Sequence, residues 1–364
     1  MKKKLLIISH AYLRDDVYQS LLFLKKKFNL LCLVPKNFKL FKFKRDKKLL
    51  KEIHTFYFKK IFFFKQNLSI IKRFNPNWII VEYNPWSIIF IQLIFFMKIY
   101  KIKPKLIIHI KDNKFIKYAY IKLIIFYLFK NYINSIWFAS SIAKKNFTNF
   151  FSKKKNKIKS YIVPIHPIDT GFYKKKTKKT KKKNINYGFI GRPDFEKGFQ
   201  YLINMFKTKK ISNCTFTGLL PPRKFWHDKN MDLKFKNYKK INILTKKFSK
   251  INALNFYKKI DVLISPSLEG PYYMEQDGQV LLESLSCQNI AISSNVGFFK
   301  DIKSTKAFFK INKVNSNSIY NIVTNINKNL NKIEKYRFEN RILVEKNFSL
   351  KVVNNKKIYL LNKI

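Results

Sequence analysis

In the first half of the chain, short apolar runs alternate with longer stretches in which apolar residues recur at helical spacing. Each short run is apolar throughout, so it predicts a strand buried on both faces of a parallel sheet, and the longer stretches predict covering helices. The predicted strands lie in KLLIIS, LLCLVP, WIIVEY, KLIIHI, SIWFAS and SYIVPI, and the helical stretches include VYQSLLFLKKKF and SIIFIQLIFFMKIY.

The same alternation returns after the run KKKTKKTKKK, which has no apolar residue and predicts a solvated linker. Strands are predicted in INYGFIG, NCTFTGLL, INILT, DVLISPS and IAISSN, and the end of the chain, from about Asn315, is predicted to be helical. The pattern therefore predicts an α/β chain with two doubly wound, Rossmann-like domains. Their functional loops are expected at the carboxyl ends of the strands.

The charge of the chain bears on its partners. The sequence has 76 Lys and Arg against 20 Asp and Glu among 364 residues, a formal net charge of +56. Lysines occur in predicted strands, loops and helices alike, which indicates a chain-wide compositional drift, and no zinc-finger or RNA-binding motif accompanies them. We therefore predict no specific nucleic-acid partner. Attraction to an anionic membrane surface is the favoured use of the charge, because a peripheral enzyme with a lipid acceptor gains from it.

Cysteines and apolar runs indicate the compartment. Cys32, Cys214 and Cys287 are odd in number and far apart, so they predict neither a disulfide framework nor a zinc site, and a reducing cytoplasm is expected. The apolar run near SIIFIQLIFFM is shorter than the ~20 residues that a membrane span needs. We predict no transmembrane helix and read the N-terminus as a first strand.

The first candidate motif is GFIGRPDFEKGFQYLINMF, residues 188–206. A predicted strand ends near Gly191, Arg192 follows at once, and Lys197 stands before a glycine that opens a helix. Such a turn directs backbone amides and the positive end of the helix at an anion, and the two cations suit the phosphates of a nucleotide diphosphate. The alternative is that both are ordinary solvated charges, which are common in so basic a chain.

The second candidate motif is EQDGQVLLE, residues 275–283, inside a window from Asp261 to Phe299 that contains no Lys or Arg. A helix is predicted to begin near Gly278, with Glu275 in the loop before it and Glu283 inside it. Carboxylates accept hydrogen bonds from sugar hydroxyls, whereas lysine can only donate. The alternative is that Glu275 favours the helix start and that Glu283 is a helix-surface residue.

Together, these stretches resemble the C-terminal domain of the family 4-type (group 1) retaining glycosyltransferases, which have the GT-B fold of two Rossmann-like domains facing each other across a cleft. GFIGRPDFEKG resembles the donor-phosphate motif of that family, DVLISPSLEG its strand leading to proline and serine, and EQDGQVLLE its two glutamates separated by seven residues. VPIHPIDTGFY resembles the connection before the linker, and VEKNFSLKVVNNKKIYLL the terminal helix.

The resemblance implies a domain organisation. A first domain over residues 1–173 would bind the acceptor, a lysine-rich linker would span 174–184, and a nucleotide-sugar-binding domain would cover 185–345. The terminal helix, residues 346–364, would cross back to the first domain. A nucleoside-diphosphate sugar would be the donor substrate, with no cofactor and no metal ion.

The resemblance also implies roles for individual residues. Arg192 and Lys197 would stabilise the departing phosphate, and Glu275 would hold donor-sugar hydroxyls, so these three are the predicted catalytic residues. The remaining donor-binding residues would be Glu283 for the ribose hydroxyls, Gly191 in the phosphate turn, and the backbone amides of Gly278, Gln279 and Val280. Six residues near strand ends of the first domain are acceptor-side candidates by position, namely His10, Glu82, Asn84, Trp86, His109 and Asp112.

The sequence departs from the family pattern in three places. SHAYLRDD, which has no glycine, stands where the family has a glycine-rich loop after the first strand. In IIHIKDN, Lys111 stands beside Asp112 where the family often has a histidine–aspartate pair, and His109 lies two residues upstream. Tyr272 and Tyr273 are inserted ahead of the glutamate pair, where they either shape the donor-sugar pocket or fill a packing role.

The implied function is transfer of a hexosyl group from a nucleotide sugar to a saccharide or lipid-linked acceptor, with retention at the anomeric carbon. By analogy, such a cytoplasmic enzyme, peripheral on the inner face of the membrane, would serve cell-surface polysaccharide, glycolipid or lipopolysaccharide synthesis. Two alternatives remain open. One is a basic scaffold that binds membrane or nucleic acid without catalysis, and the other is a nucleotide-sugar epimerase of the same fold.

Overall fold

The computed structural model describes residues 2–13, 18–35, 54–58, 65–112, 119–151, 158–174, 184–226, 238, 240–270 and 273–364. Most of the predicted linker over 174–184, and Tyr272, lie outside these described residues. The chain forms two compact units. Unit 1 comprises Met1–Pro167 with Leu350–Ile364, and unit 2 comprises Ile168–Ser349.

Unit 1 contains a parallel sheet of seven strands in the order β3-β2-β1-β4-β5-β6-β7. The strands are β1 (Lys4–Ile8), β2 (Asn29–Pro35), β3 (His54–Phe58), β4 (Trp78–Val81), β5 (Lys105–Ile110), β6 (Ser135–Phe138) and β7 (Lys159–Ile162). The helices are Tyr18–Lys25, Lys65–Phe74, Ile88–Ile99, Ala119–Phe129, Ser141–Phe151 and Leu350–Lys363, with 3-10 turns at Ala11–Leu13 and Lys130–Tyr132. The six predicted strands are confirmed. Strand β3 was not predicted, because it begins with the polar residues His54 and Thr55 and its apolar run is therefore short.

Unit 2 contains a parallel sheet of six strands in the order β10-β9-β8-β11-β12-β13. The strands are β8 (Ile185–Ile190), β9 (Cys214–Leu220), β10 (Ile241–Thr245), β11 (Val262–Ser265), β12 (Ile290–Ser294) and β13 (Phe308–Ile311). The helices are Phe199–Thr208, Lys250–Lys259, Gln279–Ser286, Ser316–Glu334 and Arg337–Asn347, with 3-10 turns at Phe195–Lys197, Arg223–Phe225 and Gly297–Asp301. The five predicted strands are confirmed, and β13 is an addition at the edge of the sheet.

The strand order reverses once in each sheet. In unit 1 the reversal lies between β1 and β4, and in unit 2 between β8 and β11. At such a point the crossover helices leave on opposite faces of the sheet, and a crevice opens beyond the carboxyl ends of the two central strands. Both candidate motifs follow the central strands of unit 2, so the topology brings them to one crevice.

Burial explains the lysine-free window. Strand β12 is buried along its whole length, and the helix Gln279–Ser286 buries Leu281 through Ser286. A lysine in either element would place its ammonium in the apolar core. The three cysteines are buried free thiols. Among the described helices, none is both long enough and apolar enough to cross a bilayer.

The unit boundaries differ slightly from the predicted domain bounds. Ile168 and Tyr173, placed in the first predicted domain, pack in the core of unit 2 together with Phe348. The amide of Ile168 donates to the carbonyl of Phe348 at 2.8 Å. The chain therefore enters unit 2 at Ile168 and returns to unit 1 at Leu350. The functional labels of the two domains stay predictions.

Candidate functional site

The strand-to-helix turn after β8 forms one wall of the site in unit 2. Gly191 follows the strand, and Gly198 has a left-handed φ of 68° at the start of the helix Phe199–Thr208. A Cβ at Gly198 would lie 2.1 Å from the carbonyl oxygen of Pro266, which follows β11. Glycine is thus required both for the turn and for the close approach of the two loops. The amide of Leu268 donates to the carbonyl of Glu196 at 2.7 Å and fixes that approach.

The loops join through an ion pair between the two motifs. Lys197 Nζ donates to Glu275 Oε2 at 2.9 Å. The same carboxylate oxygen accepts hydrogen bonds from Ser267 Oγ and from the Tyr273 hydroxyl, each at 2.9 Å. Lys197 also lies over the Tyr273 ring, 5.1 Å from its centroid. Charge and hydroxyl donors converge on one carboxylate oxygen, so the side chain of Glu275 is held in one orientation.

The ion pair controls protonation at the site. Burial alone would lower the pKa of Lys197, but the adjacent Glu275 carboxylate outweighs it, and the net shift of the pKa is upward. Burial, and then the charge of Glu275, raise the pKa of Tyr273 to about 12. At neutral pH the site therefore presents a charged ammonium and a protonated phenol that donates to the carboxylate.

The backbone of Glu275 is fixed by a second glycine. Gly297 has a left-handed φ of 50°, and a Cβ there would lie 2.3 Å from the carbonyl oxygen of Glu275. The next amide, that of Phe298, donates to the same carbonyl at 2.9 Å. The loop after β12 thus supports the loop that carries the carboxylate.

Arg192 is held by a buried acid. Its Nε lies 3.1 Å from Asp194 Oδ2, and Asp194 is almost fully buried, whereas the Arg192 side chain keeps about a third of its surface exposed. The carbonyl of Asp194 also accepts the amide of Lys197 at 2.9 Å. Asp194 therefore orients both cationic residues of the first motif, one through its side chain and one through its backbone.

The helix after Glu275 begins as predicted. Gly278 caps it in the left-handed region, and the helix runs over Gln279–Ser286. Amides in the first turn of a helix have no intrahelical acceptors, so those of Gly278, Gln279 and Val280 stand at its positive end. The amide of Gln279 lies 3.5 Å from Asp277 Oδ1.

Glu283 is buried, which contradicts the alternative that it is a helix-surface residue. Its carboxylate accepts from the Tyr257 hydroxyl at 2.8 Å and from Gln279 Nε2 at 3.1 Å. Burial, and then the charge of Glu283, raise the pKa of Tyr257 well above its ordinary value, so the phenol stays a donor. The contact with Gln279 shows that the carboxylate reaches back to the start of its helix.

In unit 1, a second polar cluster lies at the reversal between β1 and β4. Buried Glu82 follows β4 and accepts from Ser9 Oγ at 2.7 Å and from the Tyr12 hydroxyl at 3.3 Å. His109, on β5, places Nδ1 3.7 Å from Glu82 Oε1 and donates from Nε2 to the carbonyl of Val163 at 2.8 Å. These contacts hold Glu82 and His109 inside the unit.

The terminal helix contributes a buried cation to this cluster. Lys357 is almost fully buried, and its Nζ lies 3.4 Å from the carbonyl of Ile165. Burial lowers the pKa of Lys357, and the charge of Glu82 opposes that shift. For Glu82, burial would raise the pKa, but the hydrogen bond with His109 and the charge of Lys357 outweigh it, so the net shift is downward. Burial lowers the pKa of His109.

The other four acceptor-side candidates are partly exposed at the same edge of the sheet. Lys111 Nζ donates to His10 Nε2 at 2.7 Å, which joins the loops after β1 and β5. Asn84 Nδ2 donates to Asp112 Oδ2 at 2.5 Å and joins the loops after β4 and β5. Trp86 stacks on Phe151, with ring centroids 5.5 Å apart.

The structure thus brings together several predicted residues and adds others. Lys197 meets Glu275, Glu283 meets Gln279, and Asn84 meets Asp112. Sequence reasoning did not single out Asp194, Ser267, Tyr257 or Lys357. For Asp194, the sequence did offer one signal, since it is an acid two residues after Arg192 in a chain with few acids. Among the described residues, no group of three or more His, Cys, Asp or Glu side chains could hold a metal ion.

Most of unit 2 is similar to a known protein family. Residues 169–337 match the family model described as glycosyl transferases group 1. This part of the chain, which contains both motifs, is therefore similar to the group 1 glycosyltransferases. Among curated protein sequences, none matches the chain significantly.

Solved structures define the fold of the whole chain as GT-B. HepE of Anabaena in complex with UDP-glucose aligns with a TM-score of 0.73 at 13% identity, over 99% of this chain and 100% of that one. A glycosyltransferase from Rickettsia africae ESF-5 aligns with a TM-score of 0.75 at 15% identity, over 100% and 98%. The lipopolysaccharide outer core galactosyltransferase WaaB, in its apo form, aligns with a TM-score of 0.66 at 12% identity, over 100% of both chains. At these identities the similarity shows the fold alone.

Proposed function

We propose that the chain is a retaining glycosyltransferase that moves a hexosyl group from a nucleoside-diphosphate sugar to a saccharide or lipid-linked acceptor, without a metal ion or cofactor. The observation that carries this proposal is the ion pair between Lys197 and Glu275, which joins the two motifs inside the part of the chain that is similar to the group 1 glycosyltransferases. The structural neighbour HepE, which was solved with UDP and with UDP-glucose, supports a nucleotide sugar as the donor.

Lys197 would neutralise the phosphate that leaves. In this reaction the nucleoside diphosphate gains negative charge while the sugar becomes oxocarbenium-like. The raised pKa of Lys197 keeps its ammonium charged at neutral pH, and its side chain is 25% exposed, so the charge is available to a ligand. Arg192, oriented by Asp194, would supply a second cation. Fixed charges of this kind contribute about 3 to 4 kcal/mol each to transition-state stabilisation.

Glu275 would accept hydroxyl groups of the donor sugar. Ser267 and Tyr273 donate to its carboxylate independently of Lys197. They would therefore keep the carboxylate in place when the Lys197 ammonium reorients toward a phosphate of the donor. A carboxylate offers about four acceptor positions, which leaves capacity for a sugar hydroxyl. Glu283 would accept a ribose hydroxyl in the same way, next to Tyr257 and Gln279.

The start of the helix Gln279–Ser286 would receive an anion or a sugar oxygen. The amides of Gly278, Gln279 and Val280 stand at its positive end, where a phosphate oxygen is stabilised by the helix dipole. Gly191 would allow the diphosphate to approach the turn after β8 closely.

The acceptor would contact the partly exposed residues of unit 1, which are His10, Asn84, Trp86 and Asp112. Glu82 and His109 are buried and would position the loops that carry the others. We propose a cytoplasmic enzyme, peripheral on the inner face of the membrane, that serves cell-surface polysaccharide or glycolipid synthesis. The fold similarity to WaaB makes lipopolysaccharide one acceptor class to test.

A panel of uridine, guanosine and adenosine diphosphate sugars tests the reaction. One of them should raise the melting temperature of the purified chain and be hydrolysed slowly without acceptor. Lys197→Ala and Glu275→Ala should abolish hydrolysis, whereas Lys258→Ala and Glu334→Ala, at exposed positions, should leave it intact. Activity that survives in the two site variants would refute the assignment.

The same panel separates the alternatives. A basic scaffold would bind polyanions in a salt-sensitive manner, and no nucleotide sugar would change its melting temperature. An epimerase would convert the sugar of the donor without an acceptor and without releasing the nucleotide.

A further inference from the structure

The helix Ala119–Phe129 presents an apolar face to solvent. Tyr120, Ile121, Ile124 and Leu128 are exposed by 83%, 57%, 61% and 65%, whereas Phe126 on the opposite side is fully buried. At about 100° per residue, the four exposed side chains fall within an arc of roughly 100°. Such a helix has one apolar side in the core and a second in solvent, which a surface helix normally avoids.

The neighbouring helix Ile88–Ile99 extends this face. Ile88, Phe95 and Ile99 are exposed and lie on one side of that helix. The rings of Phe95 and Phe129 meet edge to face with centroids 5.9 Å apart, so the two helices are in contact at this point. We call the exposed faces of these two helices the apolar patch. Monomeric proteins rarely expose a contiguous apolar area of this kind unless a partner covers it.

Charge around the apolar patch identifies the chemistry of the partner. Neither helix contains an acidic residue, and the sequence from Tyr83 to Ile168 contains one, Asp112. Lys98, Lys122 and Lys130 belong to or directly follow the two helices, with their ammonium groups over aromatic rings at 5.7, 5.4 and 4.7 Å from the ring centroids.

The charge is also uneven between the units. Within the bounds of unit 1 the sequence has 40 Lys and Arg against 6 Asp and Glu, whereas unit 2 has 36 against 14. An apolar face on a unit with so large an excess of basic residues is complementary to a lipid surface that carries negative charge. A second copy of this chain would bring lysines against lysines, so self-association is disfavoured.

We infer that the apolar patch docks unit 1 on a membrane surface that contains anionic lipid. The isoleucine, leucine and aromatic side chains insert at the boundary between headgroups and acyl chains, and the lysines contact the headgroups. This binding is interfacial, because the two helices that carry the apolar patch have 12 and 11 residues, fewer than the ~20 that a bilayer span needs.

The helix Ala119–Phe129, which carries part of the apolar patch, also contacts the acceptor-side candidates. Lys122, on the helix Ala119–Phe129, lies over the ring of Trp86, and its charge interacts with Asp112. A lipid-linked acceptor would therefore reach these residues from the surface that the patch contacts. That step rests on the proposed function, whereas lipid binding itself does not.

Flotation with vesicles tests the inference on the full chain. The chain should float with vesicles of phosphatidylcholine and phosphatidylglycerol, float poorly with phosphatidylcholine alone, and dissociate in high salt. The double variant Ile124→Glu, Leu128→Glu should weaken partitioning by about a hundredfold or more, because two buried apolar side chains are replaced by repelled charges. Ile251→Glu, at a 64% exposed position in unit 2, should bind like the wild type.

A labelled variant gives an independent readout in an otherwise unchanged patch. Because the three native cysteines are buried, Tyr120→Cys can be labelled selectively with an environment-sensitive dye. Its emission should shift to the blue with anionic vesicles, and that of Ile251→Cys should not. Circular dichroism checks that every variant is folded.

Three outcomes would overturn the inference. These are equal flotation of the double variant and the wild type, equal binding to neutral and anionic vesicles, or a wild-type dimer in light scattering that the double variant dissociates. Thermal stabilisation by a nucleotide sugar reports on unit 2 separately. A chain that binds donor but not vesicles refutes the docking surface alone, and the reverse result refutes the proposed reaction alone.

Discussion

The ion pair between Lys197 and Glu275 should stabilise unit 2 as well as serve the reaction. Removing one partner of a buried ion pair costs about 3 to 5 kcal/mol, because the other charge stays buried. Lys197→Met leaves the Glu275 carboxylate with the hydroxyls of Ser267 and Tyr273, so we expect a smaller loss of about 2 to 3 kcal/mol. For a unit of this size, that lowers the melting temperature by roughly 4 to 12 °C.

Glu275→Gln should destabilise unit 2 less than Lys197→Met does. Lys197 would keep the Tyr273 ring at 5.1 Å, and its side chain is already 25% exposed, so water can solvate the unpaired ammonium. We expect a loss of about 1 to 2 kcal/mol. The double variant should lose less than the sum of the two single losses, with a coupling energy of about 1 to 2 kcal/mol.

Differential scanning calorimetry is the assay, because the chain has two compact units and the thermogram can resolve their transitions. The three variants should shift the transition of unit 2 and leave that of unit 1 in place. Strictly additive losses, or a single-variant loss below about 0.5 kcal/mol, would refute the reasoning, since the two side chains would then be uncoupled.

The dependence of stability on pH provides a second test of the ion pair between Lys197 and Glu275. Because the pKa of Lys197 is raised above its value in the unfolded chain, the pair contributes its full stability below the ordinary lysine pKa of 10.5. The contribution is lost only as the pH rises through the folded pKa. The difference in stability between wild type and Lys197→Met should therefore be constant from about pH 6 to about pH 9.

Three further variants test other contacts. Gly297→Ala should destabilise unit 2 by about 2 kcal/mol or more in calorimetry, because its Cβ would lie 2.3 Å from the Glu275 carbonyl at a left-handed φ, whereas Gly171→Ala, with space for a Cβ, should cost under about 1 kcal/mol. Tyr273→Phe keeps the ring but removes a donor to the carboxylate, and should lower kcat/KM by about three- to tenfold with little change in melting temperature. Because burial lowers the pKa of His109, its neutral form contributes stability that is lost as the pH falls below its ordinary value. The melting temperature of unit 1 should therefore fall less in His109→Gln than in wild type between about pH 7 and about pH 4.

The sheets could largely be predicted from the sequence, because buried parallel strands are apolar throughout. Two edge strands could not. His54–Phe58 begins with two polar residues, and Phe308–Ile311 contains a lysine, Lys310, which an edge position tolerates. Position at the edge is a property of the sheet order, and apolar patterning does not encode it.

The residues of the candidate donor site could be named singly from the sequence, but their contacts could not be predicted. Lys197 and Glu275 are 78 positions apart, and strands β9 and β10 intervene between β8 and β11 in the sequence. Only the strand order places β8 beside β11 and so brings the two loops together. The roles of Ser267 and Tyr273 as donors to one oxygen depend on side-chain geometry, to which residue spacing gives no access.

For the acceptor-side candidates, the sequence did not predict which side chains are buried, for a related reason. Glu82 and His109 follow or lie on central strands, which made them candidates by position, yet both side chains point into the unit. In the sequence, Glu82 and Lys357 are separated by about three quarters of the length of the chain. Only the return of the terminal helix to unit 1 explains how a buried lysine adds to the hydrogen bond of His109 in lowering the pKa of the Glu82 carboxyl.

Acidic residues are informative in this chain because they are scarce. With 20 acids against 76 basic residues, any exposed acid has many cations near it, whereas a buried acid needs a specific partner. Asp194 lies against Arg192, Glu275 against Lys197, and the charge of Glu82 lowers the cost of burying Lys357. Arg192 and Lys197 are partly exposed, so without these acids their side chains would be free to sample many orientations. In so basic a chain, Asp194 and Glu275 therefore mark the two cations that are held in place at the candidate site.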